Sequence, residues 1–305
     1  MPNLNFDPQK DIPDLTGKTI FITGGTNGIG AAAATHFANH NAAHIYISGR
    51  NAKSAEKVID EVRASGSKTT VSFVQCDLAS LASVKRAAEQ FVSQTTQLDI
   101  LICNAGVMAL PPGLTADGYE IQFGTNHLGH ALLIKKLLPL LETRANGGDD
   151  ARIIILTSDG ARLHPKGGII FEDLKTVQDF CVGGPWLRYA QSKLANLMYA
   201  RELSRRYPGI TSVSVHPGVV ATSLVGSLGV MDKAIVYGAN LGNLLKPEEG
   251  AYNQVWAATT TQKLQNGAWY EPVGKLAESK LDKTSKDNAL AERLWEWTEE
   301  HLAAY

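Results

Sequence analysis

The chain has 305 residues, 44% of them hydrophobic, and its 29 basic and 30 acidic residues leave a formal net charge of −1. This composition is sufficient for one large core, and it excludes the basic excess that is typical of nucleic-acid-binding proteins. Three cysteines, Cys76, Cys103 and Cys181, are too few and too scattered for a disulfide framework or a four-ligand zinc site. No apolar run has the length of a membrane span, so the sequence predicts a cytoplasmic protein.

Apolar runs that predict β-strands alternate along the chain with segments that predict helices. The predicted strands cover residues 18–23, 43–48, 69–76, 98–103, 151–158 and 210–217. The predicted helices cover residues 28–41, 51–65, 80–95, 118–143 and 186–206. Near-continuous apolar strands separated by helices are typical of a parallel sheet that is covered on both faces. The sequence therefore predicts a single doubly wound α/β domain over residues 1–305.

A glycine-rich turn, TGGTNGIG, follows the first predicted strand and leads directly into a helix. It contains Gly24, Gly28 and Gly30. Glycine lets the backbone approach a ligand closely, and a helix N-terminus offers unpaired N–H donors and a positive dipole end. A strand, a glycine turn and a helix in this order favour a pyrophosphate site, although a purely structural turn stays open on this segment alone.

The turn and further segments, in chain order, resemble the short-chain dehydrogenase/reductase family. Residues 23–30 match the family motif TGxxxGxG, and CNAG at 103–106 resembles its NNAG motif, with Cys103 in place of the first asparagine. The remaining matches are CDL at 76–78, TNHLGH at 125–130, ILTSDGA at 155–161, YAQSK at 189–193 and HPGVVAT at 216–222. The resemblance runs from about residue 17 to about residue 271. It implies a Rossmann domain whose parallel sheet has seven strands, with helices on both faces.

The resemblance also implies which residues carry the reaction. In this family a hydride passes between a nicotinamide and a carbonyl carbon, while a tyrosine transfers the proton. The implied catalytic residues are Asn126, Ser158, Tyr189 and Lys193. The implied cofactor-binding residues are Gly24, Thr26, Asn27, Gly28, Ile29, Gly30, Asp77, Leu78, Asn104, Ala105, Gly106, Tyr189, Lys193, Pro217, Gly218, Val220 and Thr222.

The chemistry of Tyr189 and Lys193 can be examined independently of the resemblance. The two residues stand four apart on a predicted helix, so their side chains share a face. A phenol has a pKa of about 10, which is too high for a base at neutral pH. An ammonium about 4 Å away, at an effective dielectric near 20, favours the phenolate by roughly 4 kcal/mol. We therefore expect Lys193 to lower the pKa of Tyr189 by up to about 3, into the range of a general acid/base.

The residues after the second predicted strand indicate which nicotinamide cofactor binds. In dinucleotide-binding folds, an acidic residue about twenty positions past the glycine motif bonds the ribose 2′-hydroxyl and selects NAD. Ser48 and Gly49 occupy this place here, and Arg50 follows. An arginine pairs with a 2′-phosphate, and no carboxylate is present to repel it, so the sequence predicts NADP with Arg50 as a ligand. Asn27 and Asn51 are further candidate ligands, and a surface arginine at a strand end is the alternative.

The substrate is predicted only by class. GGIIFEDL at 167–174 and ALAERLWEWTEE at 289–300 resemble the retinol-dehydrogenase-like and WW-domain-oxidoreductase-like branch, which is common in fungi. This branch implies a lipophilic ketone, aldehyde or alcohol, in some members within secondary metabolism. Candidate walls of an apolar site are Met108, Leu110 and Trp186. A reductase of carbon–carbon double bonds and a non-catalytic NADP(H) sensor are the alternatives on the same scaffold.

Three segments lie outside the motifs. Residues 1–16 and 272–305 form predicted extensions, and the glycine-rich apolar segment 223–245 is a candidate substrate lid. A longer insertion, residues 159–188, precedes Tyr189. The resemblance implies a homodimer through the helices that carry Asn126 and Tyr189, unless the insertion or the C-terminal extension blocks that surface.

The predicted helix 118–143 also contains a pair of histidines and a stripe of leucines. His127 and His130 are three residues apart, but no acidic or cysteine partner accompanies them, so we predict helix packing and no metal. A buried stripe is predicted from the spacing of Leu128, Leu132, Leu133 and Leu137.

Overall fold

The structure, a computed structural model, describes residues 6–180, 182–222, 229, 233, 238 and 244–305. Its strands are β1 Thr19–Thr23, β2 His44–Gly49, β3 Thr70–Gln75, β4 Ile100–Cys103, β5 Arg152–Leu156, β6 Thr211–Val215, β7 Trp269–Glu271 and β8 Lys275–Leu276. They form one sheet in the order β3-β2-β1-β4-β5-β6-β7-β8. Pairing is parallel from β3 to β7.

The seven strands from β3 to β7 run parallel, as the resemblance implied, and the sheet has one strand more than that. Within the described residues the sheet has eight strands, and β8 pairs antiparallel to β7, with Tyr270 opposite Leu276. A tight turn joins the two strands and contains Gly274, whose φ of +68° favours glycine. β8 has only two residues, both exposed, so no apolar run marks it in the sequence.

Helices cover both faces of the sheet, which confirms the predicted doubly wound α/β fold. They are α1 Gly28–Ala38, α2 Ala52–Ala64, α3 Leu81–Gln94, α4 Gly129–Asn146, α5 Gly184–Arg206, α6 Pro247–Thr259 and α7 Asn288–His301. A single turn, Ile121–Phe123, and a π-helical segment, Gly124–Leu128, lead into α4. One apolar core includes residues of α3, α4 and α5. The other includes residues of α1, α2 and α6.

The order of the strands in the sheet indicates where a ligand binds. The neighbours β1 and β4 are separated in the chain by β2 and β3, so the strand order reverses between β1 and β4. Ligands of open α/β sheets bind in the crevice that such a reversal leaves beyond the carboxyl ends of the strands. The glycine turn after β1 and the CNAG segment at the end of β4 meet there.

The C-terminal helix α7 packs against both α4 and α5. Trp295 stacks on Tyr199 with ring centroids 5.0 Å apart. The Lys135 ammonium lies 2.7 Å from the Glu299 carboxylate. α7 therefore occupies the helix surfaces through which the resemblance implied a homodimer.

The remaining sequence predictions concern segments outside this framework. The predicted lid over 223–245 falls largely outside the described residues, as does Cys181. Of the helices that the structure describes, none combines the length and apolar character needed to cross a bilayer.

Candidate active site

A cavity of about 1450 Å³ opens at the carboxyl ends of the strands. Most of the predicted site residues line it: Gly24, Thr26, Asn27, Gly28, Ile29, Gly30, Arg50, Asp77, Leu78, Asn104, Ala105, Gly106, Ser158, Tyr189, Pro217, Gly218, Val220 and Thr222. Three other predicted residues, Asn51, Asn126 and Lys193, do not line it. The volume exceeds that of a typical small-ligand pocket and suits a dinucleotide together with a substrate.

The glycine turn has the backbone that a pyrophosphate site requires. Gly24 and Gly28 have φ of +65° and +54°, a region that residues with a Cβ rarely adopt. A Cβ on Gly30 would collide with the Gly24 carbonyl oxygen and the Asn104 side chain. At the N-cap of α1, Asn27 makes no side-chain capping bond. The first N–H groups of α1 are thus available to an anion, so the turn fits a dinucleotide phosphate.

Thr23 joins the turn to the segment after β4. Its hydroxyl oxygen accepts from the backbone N–H groups of Asn104 and Ala105 at 2.9 and 3.0 Å. The Asn104 amide donates to the Thr23 carbonyl at 2.8 Å. The buried Oδ1 of Asn104 has no hydrogen-bond partner in the described part of the chain. Asn104 and Ala105 both line the cavity. The two segments are therefore held together beside the cofactor region.

The rim near β2 carries Arg50, the candidate ligand of a 2′-phosphate. Ser48, Gly49 and the exposed Arg50 line the cavity. Asn51 does not: its side chain accepts from the Ser54 N–H at 3.1 Å and caps α2. The residue type that made Asn51 a candidate ligand is also a preferred helix N-cap.

The predicted catalytic side chains Ser158, Tyr189 and Lys193 lie close together, just after the end of β5 and on α5. Tyr189 is buried and hydrogen-bonds Ser158. The Lys193 ammonium donates to the Leu156 carbonyl at 3.0 Å and lies 5.8 Å from the centre of the Tyr189 ring. The Thr157 hydroxyl donates to the Lys193 carbonyl at 2.7 Å, which fixes α5 to the end of β5.

Asn126 lies in the π-helical segment and is fully buried. Its side chain accepts from the Val107 N–H at 2.8 Å and donates to the Val107 carbonyl at 2.9 Å. It also donates to the Ser192 hydroxyl at 2.9 Å. Asn126 thereby connects the segment after β4 to the helix that carries Tyr189, and π-segments of this kind are frequent at functional sites.

The predicted lowering of the Tyr189 pKa is wrong. Burial raises the pKa of Tyr189 to about 12, and the hydrogen bond with Ser158 opposes that rise only in part. Burial also lowers the pKa of Lys193 to about 8. Attraction between the two charges favours the phenolate and the ammonium, but the cost of removing each charge from water is larger here.

The substrate side of the cavity combines apolar and charged walls. The predicted residues Met108, Leu110 and Trp186 line it, and the Trp186 ring lies edge-on to Tyr189 with centroids 6.3 Å apart. The C-terminal extension supplies residues that no motif marked: Pro272, Lys280 and Asp282. Sequence reasoning also missed a buried ion pair between Glu120 and Arg188.

His127 and His130 pack inside the protein. His127 Nε2 lies 3.0 Å from the Thr298 hydroxyl of α7, and His130 Nε2 lies 2.8 Å from the Thr23 hydroxyl. Among the described residues, no group of three or more His, Cys, Asp or Glu could hold a metal ion. The predicted leucine stripe is fully buried.

Comparisons with known proteins give a consistent set of relatives. The family model "short chain dehydrogenase" matches residues 18–171. The chain is 35% identical over 306 residues to the short-chain dehydrogenase/reductase drtF of Aspergillus calidoustus, covering 95% of each. It is 33% identical over 307 residues to retinol dehydrogenase 14 of Homo sapiens, covering 93% of this chain and 86% of that protein. A solved structure of an uncharacterised Mycobacterium paratuberculosis protein matches with a TM-score of 0.75 and 29% identity, covering 98% of this chain and 97% of that chain.

Proposed function

The chain belongs to the short-chain dehydrogenase/reductase family, in its retinol-dehydrogenase-like branch, and from this premise we propose an NADP-dependent reductase of lipophilic ketones or aldehydes. The reverse oxidation of the alcohols uses the same groups. One observation supports the proposal above all. Tyr189, hydrogen-bonded to Ser158, lines the same cavity as the glycine turn that fits a dinucleotide phosphate.

Tyr189 acts as the general acid of the reduction. NADPH, when bound, supplies the hydride that adds to the carbonyl carbon of the substrate. The Ser158 hydroxyl donates a hydrogen bond to the carbonyl oxygen, and Tyr189 gives its phenolic proton to that oxygen as negative charge develops. Because the pKa of Tyr189 is about 12, the phenol carries its proton at neutral pH and is ready for reduction.

Lys193 and Asn126, which do not line the cavity, support this proton transfer. The Lys193 ammonium lies close enough to the Tyr189 ring to stabilise the phenolate that remains after the proton has left. Asn126 holds Val107 and Ser192 together, so that the floor of the cavity stays fixed against α5.

NADP is preferred because of the rim at the end of β2. Arg50 lines the cavity there and is exposed, so its guanidinium can reach a 2′-phosphate. The positions before it, Ser48 and Gly49, carry no charge that would repel such a phosphate.

The lipophilic substrate class is supported by the apolar wall of Met108, Leu110 and Trp186. One relative is named a retinol dehydrogenase, and retinol is a lipophilic alcohol. An apolar wall opposite a few directed polar groups is the usual composition of a small-molecule site.

The proposal is tested by following nicotinamide absorbance with NADPH against a panel of lipophilic aldehydes and ketones. Tyr189→Phe is expected to reduce turnover roughly 10²–10⁴-fold while NADPH binding is retained. Tyr252→Phe, on α6 and away from the cavity lining, serves as the matched control and should keep full activity. Products reduced at a carbon–carbon double bond would contradict the carbonyl assignment. Tight NADPH binding without turnover would instead indicate a sensor.

A further inference from the structure

Arg188, the residue directly before Tyr189 in the chain, forms a fully buried ion pair with Glu120. The side chains of Glu120 and Arg188 are both 0% exposed, and Arg188 Nε lies 3.2 Å from Glu120 Oε1. Their orientation is not that of a hydrogen bond, so the contact is electrostatic. Burying two charges is costly, and replacing such a pair by apolar residues is often neutral or stabilising. The pair is therefore a poor source of stability by itself, and its role follows from the other contacts that Arg188 and Glu120 make.

Arg188 holds two segments besides Glu120. Its Nη2 donates to the Leu110 carbonyl at 2.8 Å, and its Nη1 donates to the Gln178 carbonyl at 3.0 Å. Leu110 belongs to the apolar wall on the substrate side of the cavity. Gln178 belongs to the insertion that precedes Tyr189. A planar guanidinium with donors in a fixed fork suits such simultaneous contacts better than an ammonium does.

Glu120 connects the same cluster to the element that carries Asn126. Its Oε2 accepts from the N–H groups of Gln122 and Phe123 at 3.0 and 2.7 Å. These bonds cap the turn that continues into the π-helical segment with Asn126. The ion pair thus joins the start of one functional element to α5, one residue before Tyr189.

The insertion is held in a strained conformation at this point. Gln178 has a φ of +46°, which is uncommon for a residue with a side chain. Its amide oxygen accepts from the Gln191 side chain at 2.8 Å, and the Gln191 amide oxygen accepts from the Ile170 N–H at 2.9 Å. Such strain persists only where the surroundings over-determine it, and it clusters at functional sites.

We propose that Arg188 is a positioning residue that anchors the substrate-side wall of the cavity, at Leu110, to the helix that carries Tyr189. The inference rests on the proposed function, because the position of this wall matters when a substrate binds against it. Arg188 does not line the cavity and touches no reacting atom. Its loss frees the wall, so the substrate binds less tightly, while the glycine turn that receives the cofactor is unaffected.

The experiment uses the double variant Glu120→Gln with Arg188→Met. Both charges are removed together, because a lone buried charge would destabilise the protein on its own account. Glutamine keeps an oxygen that can accept from the two capped N–H groups. The matched control is Glu202→Gln with Arg205→Met, which removes an ion pair at the other end of α5. Arg206, which also pairs with Glu202, is partly exposed and can still donate to the glutamine.

The expected result has three parts. In the Glu120/Arg188 double variant, KM for a lipophilic ketone rises roughly tenfold, as the loss of one buried hydrogen bond predicts. Amide hydrogen exchange over residues 107–113 accelerates, and the Kd for NADPH stays as in the parent protein. The control variant changes none of the three quantities. Unchanged KM and unchanged exchange in the double variant would overturn the proposal.

One further variant extends the test. If the double variant does not fold, Arg188→Lys retains the charge beside Glu120 but loses the fork, and it should still accelerate exchange over residues 107–113. Unchanged exchange in that variant would overturn the inference. The exchange readout needs no substrate. Absence of turnover in the parent protein therefore contradicts the proposed function alone, whereas unaltered exchange contradicts the role of Arg188.

Discussion

At the scale of single residues, the proposed preference for NADP depends on Arg50. Arg50→Ser should reduce kcat/KM with NADPH roughly 10- to 100-fold and leave NADH little affected, because a charge-assisted bond to the 2′-phosphate is lost. Arg63→Ser, an exposed arginine at the far end of α2, is the matched control. Steady-state kinetics with both cofactors provide the measurement, and an equal loss with NADH would contradict recognition of the phosphate.

Lys193 should give the reaction its pH dependence. Burial lowers the pKa of Lys193 to about 8, so the ammonium is charged below that pH and loses its proton above it. The value of kcat/KM for NADPH, which reports groups of the free enzyme, should therefore fall as the pH rises through about 8. Tyr189, with a pKa of about 12, remains protonated throughout this range.

The variant Lys193→Arg identifies the titrating group. A guanidinium stays charged at every accessible pH, so the fall near pH 8 should disappear even where the absolute rate is lower. The pH profile of the variant is compared with that of the parent protein. An unaltered profile would mean that another group titrates.

At the scale of elements, α7 is an integral part of the core around α4 and α5. The Trp295 ring is 9% exposed, stacks on Tyr199 and lies 4.6 Å from the Arg206 guanidinium. A homodimer through the outer surfaces of α4 and α5 would require α7 to move. The homodimer implied by the family resemblance stays a prediction.

Trp295→Ala measures what the packing of α7 contributes. Removing a buried tryptophan ring typically costs about 3–5 kcal/mol of unfolding free energy, because transfer and cavity terms add. Glu296→Ala, on the exposed side of the same helix, should change it by about 0.5 kcal/mol or less. Urea unfolding of both variants is the measurement. Similar values for the two would show that α7 is only loosely attached.

The elements also show where the sequence is informative. Continuous apolar runs and glycine punctuation located β1 to β6 and α1 to α5, because burial on both faces imposes a pattern that is visible locally. The helix α6 was not predicted. β7 has three residues and β8 has two, which is too few to show such a pattern.

At the scale of the whole molecule, residue spacing by itself predicts side-chain contacts only within one element. Tyr189 and Lys193 share a helix face, and their meeting follows from a separation of four. Glu120 and Arg188 lie far apart in the chain, and only the fold brings them together. The pKa of Tyr189 was missed for a related reason, since its burial is a property of the assembled protein.

Burial of several histidines makes the whole molecule sensitive to acid. Burial lowers the pKa of His127 to about 3 and that of both His130 and His216 to about 4, against an ordinary value of 6.5. Since each folded-state pKa lies below the unfolded one, the unfolded chain binds protons first as the pH falls. Their contribution to stability is therefore complete above pH 6.5 and is lost progressively toward pH 4.

The size of this loss of stability follows from the linkage between protonation and unfolding. Each of the three histidines should lower the free energy of unfolding by about 2 kcal/mol between about pH 7 and about pH 5. Together they remove about 6 kcal/mol, a large part of the 5–15 kcal/mol by which native proteins are stable. Urea unfolding at the two pH values measures the loss. His127→Gln should reduce it by about one third. Equal losses in the parent and in His127→Gln would assign the acid sensitivity to carboxylates instead.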